Sequence, residues 1–262
     1  MSAIILDGQI VHYEVLGRGR PIIFLHGWVG SWRYWISSMQ IASTSFRAYG
    51  LDLWGFGESA RDSKLYSIDQ QTDLLSRFLD EMGIGKVALV GHGLGALVGF
   101  NFCARWPKSV DRIMAVNSPL YYESINARLR TGSLTDLIGW LVSRAPEAAV
   151  ALADASKADP QAITDSIGSF QSNGLFAKMR ETLIPCLLVY GQNDPAIEAP
   201  PTDNSISLPH MMQQVVLDSS GHFPMIDEAA RFNRLLLDFL ALESGVSPRE
   251  LQLKEEWKRR IR

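Results

Sequence analysis

Short, mainly apolar runs recur along the chain at Ile22–Leu25, Arg47–Leu51, Val87–Val90, Ile113–Val116, Cys186–Tyr190 and Gln214–Leu217. They are largely continuous rather than alternating, the pattern of a strand covered on both faces. Between most of them lie segments with apolar residues at i, i+3 and i+4, the spacing of one helix face: Trp32–Ser43, Ile68–Met82, Leu94–Ala104 and Glu228–Leu242. In the second, Leu74, Leu75, Phe78 and Leu79 form the stripe. Strands alternating with helices predict an α/β architecture, a mostly parallel sheet with helices on both sides.

The rhythm changes in three places. At the start, Asp7-Gly8 separates Ile4–Leu6 from Gln9–Val15, and an Asp-Gly pair between β-prone runs predicts an antiparallel hairpin, because both turn positions need positive φ. Between Ser118 and Leu183 helix-like segments appear around Leu134–Val142, Pro146–Ala153 and Gln161–Phe170 with no clear strand. Both ends of that stretch return to sheet strands, so it reads as a helical lid over residues 119–183, inserted into a core of residues 1–118 and 184–245. The tail, residues 246–262, opens with Ser247-Pro248, a cap followed by Pro at the first turn. There Leu253, Trp257 and Ile261 predict a basic amphipathic helix, docked on the body or facing a partner.

Composition narrows the class without identifying it. The 262 residues are 47% hydrophobic and 20% charged, enough to bury a large core. A net charge of -3 argues against a nucleic-acid binder that works by neutralising phosphates. No apolar run approaches the roughly 18 residues of a membrane span, and Met1–Gly8 lacks the form of a signal peptide. The two cysteines, Cys103 and Cys186, have neither a C-x-x-C spacing nor a histidine partner, so both read as buried and reduced, as in a cytoplasmic protein. The sequence sets no oligomeric state.

The chemistry concentrates at the ends of the apolar runs. Val87–Val90 leads into Gly91-His92-Gly93-Leu94-Gly95, a glycine-punctuated turn before a helix. That is the form of a nucleophile elbow, G-x-S-x-G, in which the central residue points into the site. Here the central residue is Gly93. Phe24-Leu25-His26-Gly27-Trp28 follows an earlier strand, Tyr190-Gly191-Gln192-Asn193-Asp194 ends a late one in an acid, and Ser219-Ser220-Gly221-His222 follows the last with a histidine. Asp52-Leu53-Trp54-Gly55-Phe56-Gly57-Glu58-Ser59 adds a D-x-x-G-x-G-x-S loop.

In these ordered motifs the sequence resembles the α/β-hydrolase family, roughly from Gly8 to Leu242, and the lidded esterases, haloperoxidase-like proteins, epoxide hydrolases and dehalogenases by pattern. The resemblance implies an α/β-hydrolase fold, with an eight-stranded, mostly parallel sheet, an N-terminal antiparallel hairpin and a helical lid. It implies His222 and Asp194 as catalytic partners, the backbone N–H groups of Trp28 and Leu94 as an oxyanion hole, and a small, largely apolar substrate or ligand, with no cofactor. Gly93 departs from the pattern: with no nucleophilic atom there, a covalent intermediate at this position is excluded.

Three readings of that departure stand side by side. Glycine relieves the backbone strain of the elbow in a member that has lost catalysis and binds only. Alternatively, the vacated volume holds a water or a substrate atom beside His222, and the His222–Asp194 dyad acts as a general base with no covalent step. In the third, a nucleophile comes from elsewhere. Ser118, after the strand Ile113–Asn117, is the nearest candidate but also makes a plain strand-ending Ser-Pro turn, while Cys103 lies too deep in its helix. His92 reads as packing, pointing away from the site, and His26 as shaping its own loop. His12 and His210 have no metal-ligand spacing, and no metal site is predicted. Among the aromatics, Trp28, Trp54 and Tyr121 are the candidates for pocket walls, while Trp32 and Trp35 fit a core helix.

Overall fold

The computed structural model describes residues 2–143, 145–170, 174–201 and 208–251. Its strands are β1 (Ser2–Leu6), β2 (Gln9–Gly17), β3 (Arg20–Leu25), β4 (Phe46–Leu51), β5 (Val87–His92), β6 (Val110–Val116), β7 (Cys186–Gly191) and β8 (Met212–Leu217). They form one eight-stranded sheet in the order β1-β2-β4-β3-β5-β6-β7-β8. β1 with β2 and β2 with β4 are antiparallel, and every other pairing is parallel. The opening hairpin turns at Asp7 and Gly8, with φ of 48° and 79°, the two positive values that its turn chemistry demands.

The helices are α1 (Ile36–Ala42), α2 (Ile68–Glu81), α3 (Leu94–Arg105), α4 (Ala127–Thr131), α5 (Leu134–Leu141), α6 (Ala149–Ala155), α7 (Pro160–Ser169), α8 (Leu175–Glu181), α9 (Pro224–Asp227) and α10 (Ala229–Ala241). Caps mark several starts: the Ser67 side chain accepts from the Gln70 N–H at α2, and Asp159 from Gln161 at α7, which has Pro160 in its first turn. Neighbouring residues of β4 show how the sheet is covered. The Tyr49 ring meets Phe78 of α2 at 5.8 Å, whereas Gly50 abuts Met39 of α1. Successive strand residues face opposite sides, so α1 and α2 cover opposite faces. The continuous apolar runs are therefore explained: β5 and β7 are buried at every position.

Two expectations need correction. The single helix expected over Trp32–Ser43 is a 3₁₀ turn, Trp32–Trp35, followed by α1. The Ser31 hydroxyl caps the 3₁₀ turn by accepting from Arg33 N–H, which starts the chain in the tighter winding. Between β6 and β7 the described residues hold five helices rather than three. The five-residue α4 and seven-residue α8 are too short to show a period.

This helical stretch is tied to the loops that follow β3 and β4. Asp154 of α6 accepts from the Ser31 hydroxyl at 2.7 Å and from Arg33 Nε at 2.8 Å. The Asp159 N–H donates to Gly55 O, Tyr66 donates its hydroxyl to Asp159, and the Ile68 N–H donates to Ser169 Oγ. At the other end of the chain, Ser247 caps a 3₁₀ turn at Pro248–Glu250 and donates its hydroxyl to His210 O. The tail stripe of Leu253, Trp257 and Ile261 lies outside the described residues. Among those described, no helix is long and apolar enough to cross a membrane.

Candidate active site

The centre of the site is the turn from β5 into α3. A Cβ on Gly91 would fall 2.5 Å from the Gly95 backbone and one on Gly95 2.4 Å from Leu25 O, so strand and helix approach as closely as only glycines permit. Gly93 between them has φ 48° and ψ -108°, a region costing on the order of 1–3 kcal/mol for a residue with a side chain. A Cβ there would lie 3.1 Å from the Trp28 indole, which is fully buried and donates Nε1–H to Ser166 of α7 at 3.0 Å.

Backbone donors surround this turn, and most are occupied. The Gly93 N–H goes to Val116 O, the Gly95 N–H to His26 O, and the Gly27 N–H to the Tyr34 hydroxyl. The N–H groups of Trp28 and Leu94 donate to no described group. Leu94 opens α3, where first-turn N–H groups have no partner inside the helix and the dipole favours negative charge.

His222, after β8, places Nδ1 3.0 Å from both Asp194 oxygens, and both side chains are 1% exposed. A carboxylate only accepts, so Nδ1 carries a proton, and the neutral ring has its lone pair on Nε2. That Nε2 is buried with no hydrogen-bond partner. Asp194 is fixed in turn: its Oδ1 also accepts from Ala196 N–H, and its own N–H donates to Gly191 O.

His92 lies beside the dyad rather than away from it, its ring centroid 4.7 Å from that of His222. Tyr34 receives the Gly27 N–H and donates its hydroxyl to His92 Nδ1 at 2.8 Å. Burial and the neighbouring His222 hold His92 well below the usual histidine range, so it stays neutral beside its partner. His26 is also lowered by burial. Its Nδ1–H donates to Gly27 O and its Nε2 accepts the Leu53 N–H, which locks two loops together.

One residue that the sequence reading passed over is Asn117, just after β6. Its Oδ1 accepts the Gly191 N–H and its Nδ2 donates to Gly221 O and His222 O. Its place, an amide ending an apolar strand at the same sheet edge as the acid and the histidine, is the signal that could have found it. Ser118 is fully buried, and its hydroxyl has no partner. The Cys103 thiol is buried and pushed well above the usual range, an inert group.

The expected pocket walls separate. Trp54 is buried, its backbone paired with the Gln71 side chain through Oε1 and Nε2. Tyr121 is 41% exposed and edge-on to Phe176 of α8. No three His, Cys, Asp or Glu side chains gather into a metal-binding group among the described residues.

A family model described as alpha/beta hydrolase fold matches residues 20–134. Over 248 residues the chain is 25% identical to the pimeloyl-[acyl-carrier protein] methyl ester esterase of Nitrosomonas europaea, covering 85% of this chain and 96% of that one. It is 20% identical over 309 residues to bifunctional epoxide hydrolase 2 of Sus scrofa, covering 92% of this chain and 55% of that one. An esterase from Exiguobacterium antarcticum superposes with a TM-score of 0.78 at 16% identity, covering 91% of this chain and 98% of that one. The molecule has the α/β-hydrolase fold.

Proposed function

We propose that this protein is an enzyme acting on a small, largely apolar molecule through the His222–Asp194 dyad, without a covalent intermediate. The observation that carries the proposal is His222 itself: Nδ1 satisfied by Asp194, Nε2 buried and unpartnered. A buried base with its tautomer fixed is what general-base catalysis requires. In the hydrolytic form, Nε2 takes a proton from water as the water oxygen attacks the electrophilic carbon. The Trp28 and Leu94 N–H groups receive the developing oxyanion. The tetrahedral intermediate then collapses, and the leaving group takes the proton back from His222. The helices of residues 119–183 serve as a lid through Trp28–Ser166 and the Asp154 contacts. Trp54 forms part of the wall, and Tyr121 stands at the lid's surface. Two buried free thiols fit a reducing compartment such as the cytoplasm.

A second reading, a non-catalytic binding protein, is favoured by the Trp28 indole standing 3.1 Å from where a Gly93 side chain would begin. Hydrolysis of short p-nitrophenyl esters, small epoxides and haloalkanes separates the two, run on the natural chain, Gly93→Ser, Gly93→Asp and His222→Ala. Turnover by the natural chain that follows a single-limb pH profile and disappears in His222→Ala is the expected result. No turnover in any class, with ligand affinity unchanged in His222→Ala and Asp194→Ala, would overturn the enzymatic reading.

A further inference from the structure

Asp194 and His222 stand on separate loops after β7 and β8, and their mutual geometry depends on what joins those loops. At Gly191 the loops touch without any side chain between them: a Cβ there would lie 2.0 Å from Gly221 O. We infer that Asn117 is a positioning residue that sets His222 against Asp194, an inference resting on the dyad reading above. Its fully buried amide uses every polar atom across this junction. Oδ1 accepts the Gly191 N–H at 2.9 Å, and the two Nδ2 protons go to Gly221 O at 3.1 Å and His222 O at 3.0 Å. Gly191 O in turn accepts the Asp194 N–H. A hydrogen-bonded path thus runs from the His222 backbone through Asn117 to the residue that anchors the acid.

The residue type follows from the job. The junction needs one acceptor and two donors on a short side chain, which Asn supplies and Asp does not. It also needs a backbone at φ 41°, a left-handed conformation that Asn tolerates better than most residues with a side chain. A strained, buried polar residue beside a dyad is explained by positioning, whereas a strand end needs no such residue.

The test is imidazole NMR on ¹⁵N-histidine-labelled full chain, which has five histidines, with His222→Gln assigning the signal. Asn117→Gly keeps positive φ accessible and deletes the amide; Asn117→Asp keeps the shape and replaces both donors. The Nδ1 proton of His222 gives a protected downfield signal in the natural chain. In both variants that proton exchanges with solvent about tenfold faster or more, the factor for one lost hydrogen bond. Asn101→Ala, which removes amide bonds to Asp69 and Thr72 away from the dyad, leaves the signal alone. An unchanged exchange rate in folded Asn117→Gly overturns the inference. If that variant does not fold, Asn117→Asp decides by the same signal. Absence of the signal from the natural chain overturns the dyad itself, while a protected signal without any turnover counts only against the enzymatic reading.

Discussion

Among the described residues two buried histidines set Nδ1 on an aspartate at nearly equal distance, and the proposed function assigns chemistry to one of them. His12 Nδ1 donates to Asp52 Oδ2 at 2.8 Å, as His222 Nδ1 donates to Asp194 at 3.0 Å. Around Asp52 the remaining acceptor capacity is taken by the Trp32 and Glu58 N–H groups. The Ser59 hydroxyl, donating to Asp52 O, also accepts the His12 N–H. His12 Nε2 is likewise buried without a hydrogen-bond partner, but a carboxylate, Glu14, stands 3.6 Å from it. This first pair is a clamp that binds β2, the turn after β3 and the loop after β4. The second pair has fewer ties on its acid, and its ring stands 4.7 Å from that of His92, with Nε2 buried and unpartnered. A histidine–aspartate pair does not by itself distinguish a base from a clamp, and the proposed function turns on the surroundings of the far nitrogen: Glu14 at His12, the His92 ring at His222.

The sharpest way to break that contrast is to remove each pair in turn. His222→Ala should lower turnover on an accepted substrate by about 10²–10⁴-fold, the range for a general base, whereas His12→Gln should leave kcat within a few-fold. Steady-state kinetics on the same substrate check both. In stability the order reverses. Asp52→Asn breaks a buried pair and leaves backbone donors facing an amide, with an expected loss of about 3 kcal/mol in urea unfolding, and Asp194→Asn should lose less.

Smaller effects sharpen the comparison further. Burial pushes the Asp154 carboxyl up, but the Ser31 hydroxyl, Arg33 and Lys157 outweigh it and hold it down at about 2. Its contribution is therefore present above the unfolded value near 3.9 and lost as pH falls toward about 2. Asp154→Asn should lower stability by about 1.5 kcal/mol at neutral pH and flatten that acid limb. The histidines give the finest test. His26 and His92 are lowered, chiefly by burial, so below about pH 6.5 the unfolded chain takes up protons that the native one refuses, and stability falls with pH. His12 is opposite. Burial lowers it, but the Asp52 bond and the charges of Asp52, Glu14 and Glu58 leave it raised. Its contribution is full below about pH 6.5 and is lost as pH rises through the raised value. Thermal melts against pH should show a shallower acid-side slope in His92→Gln, with the His26 share remaining, and lose the His12 share of the alkaline-side slope in His12→Gln.

The sequence by itself determined the sheet, the hairpin turn and the chain order of the site. A strand buried on both faces must be continuously apolar, an Asp-Gly turn must bend with positive φ, and glycines at 91 and 95 leave only one way for β5 and α3 to meet. Tertiary structure alone decided three things. It placed the Trp28 ring over Gly93, and it turned His92 toward His222. It also gave Asn117 the task of joining two loops whose residues lie 74 to 105 positions away along the chain. Periodicity reports which face of an element is buried, because burial of apolar area is local to that element. Which polar atom finds which partner depends on loops converging from distant strands, and no local pattern records that convergence.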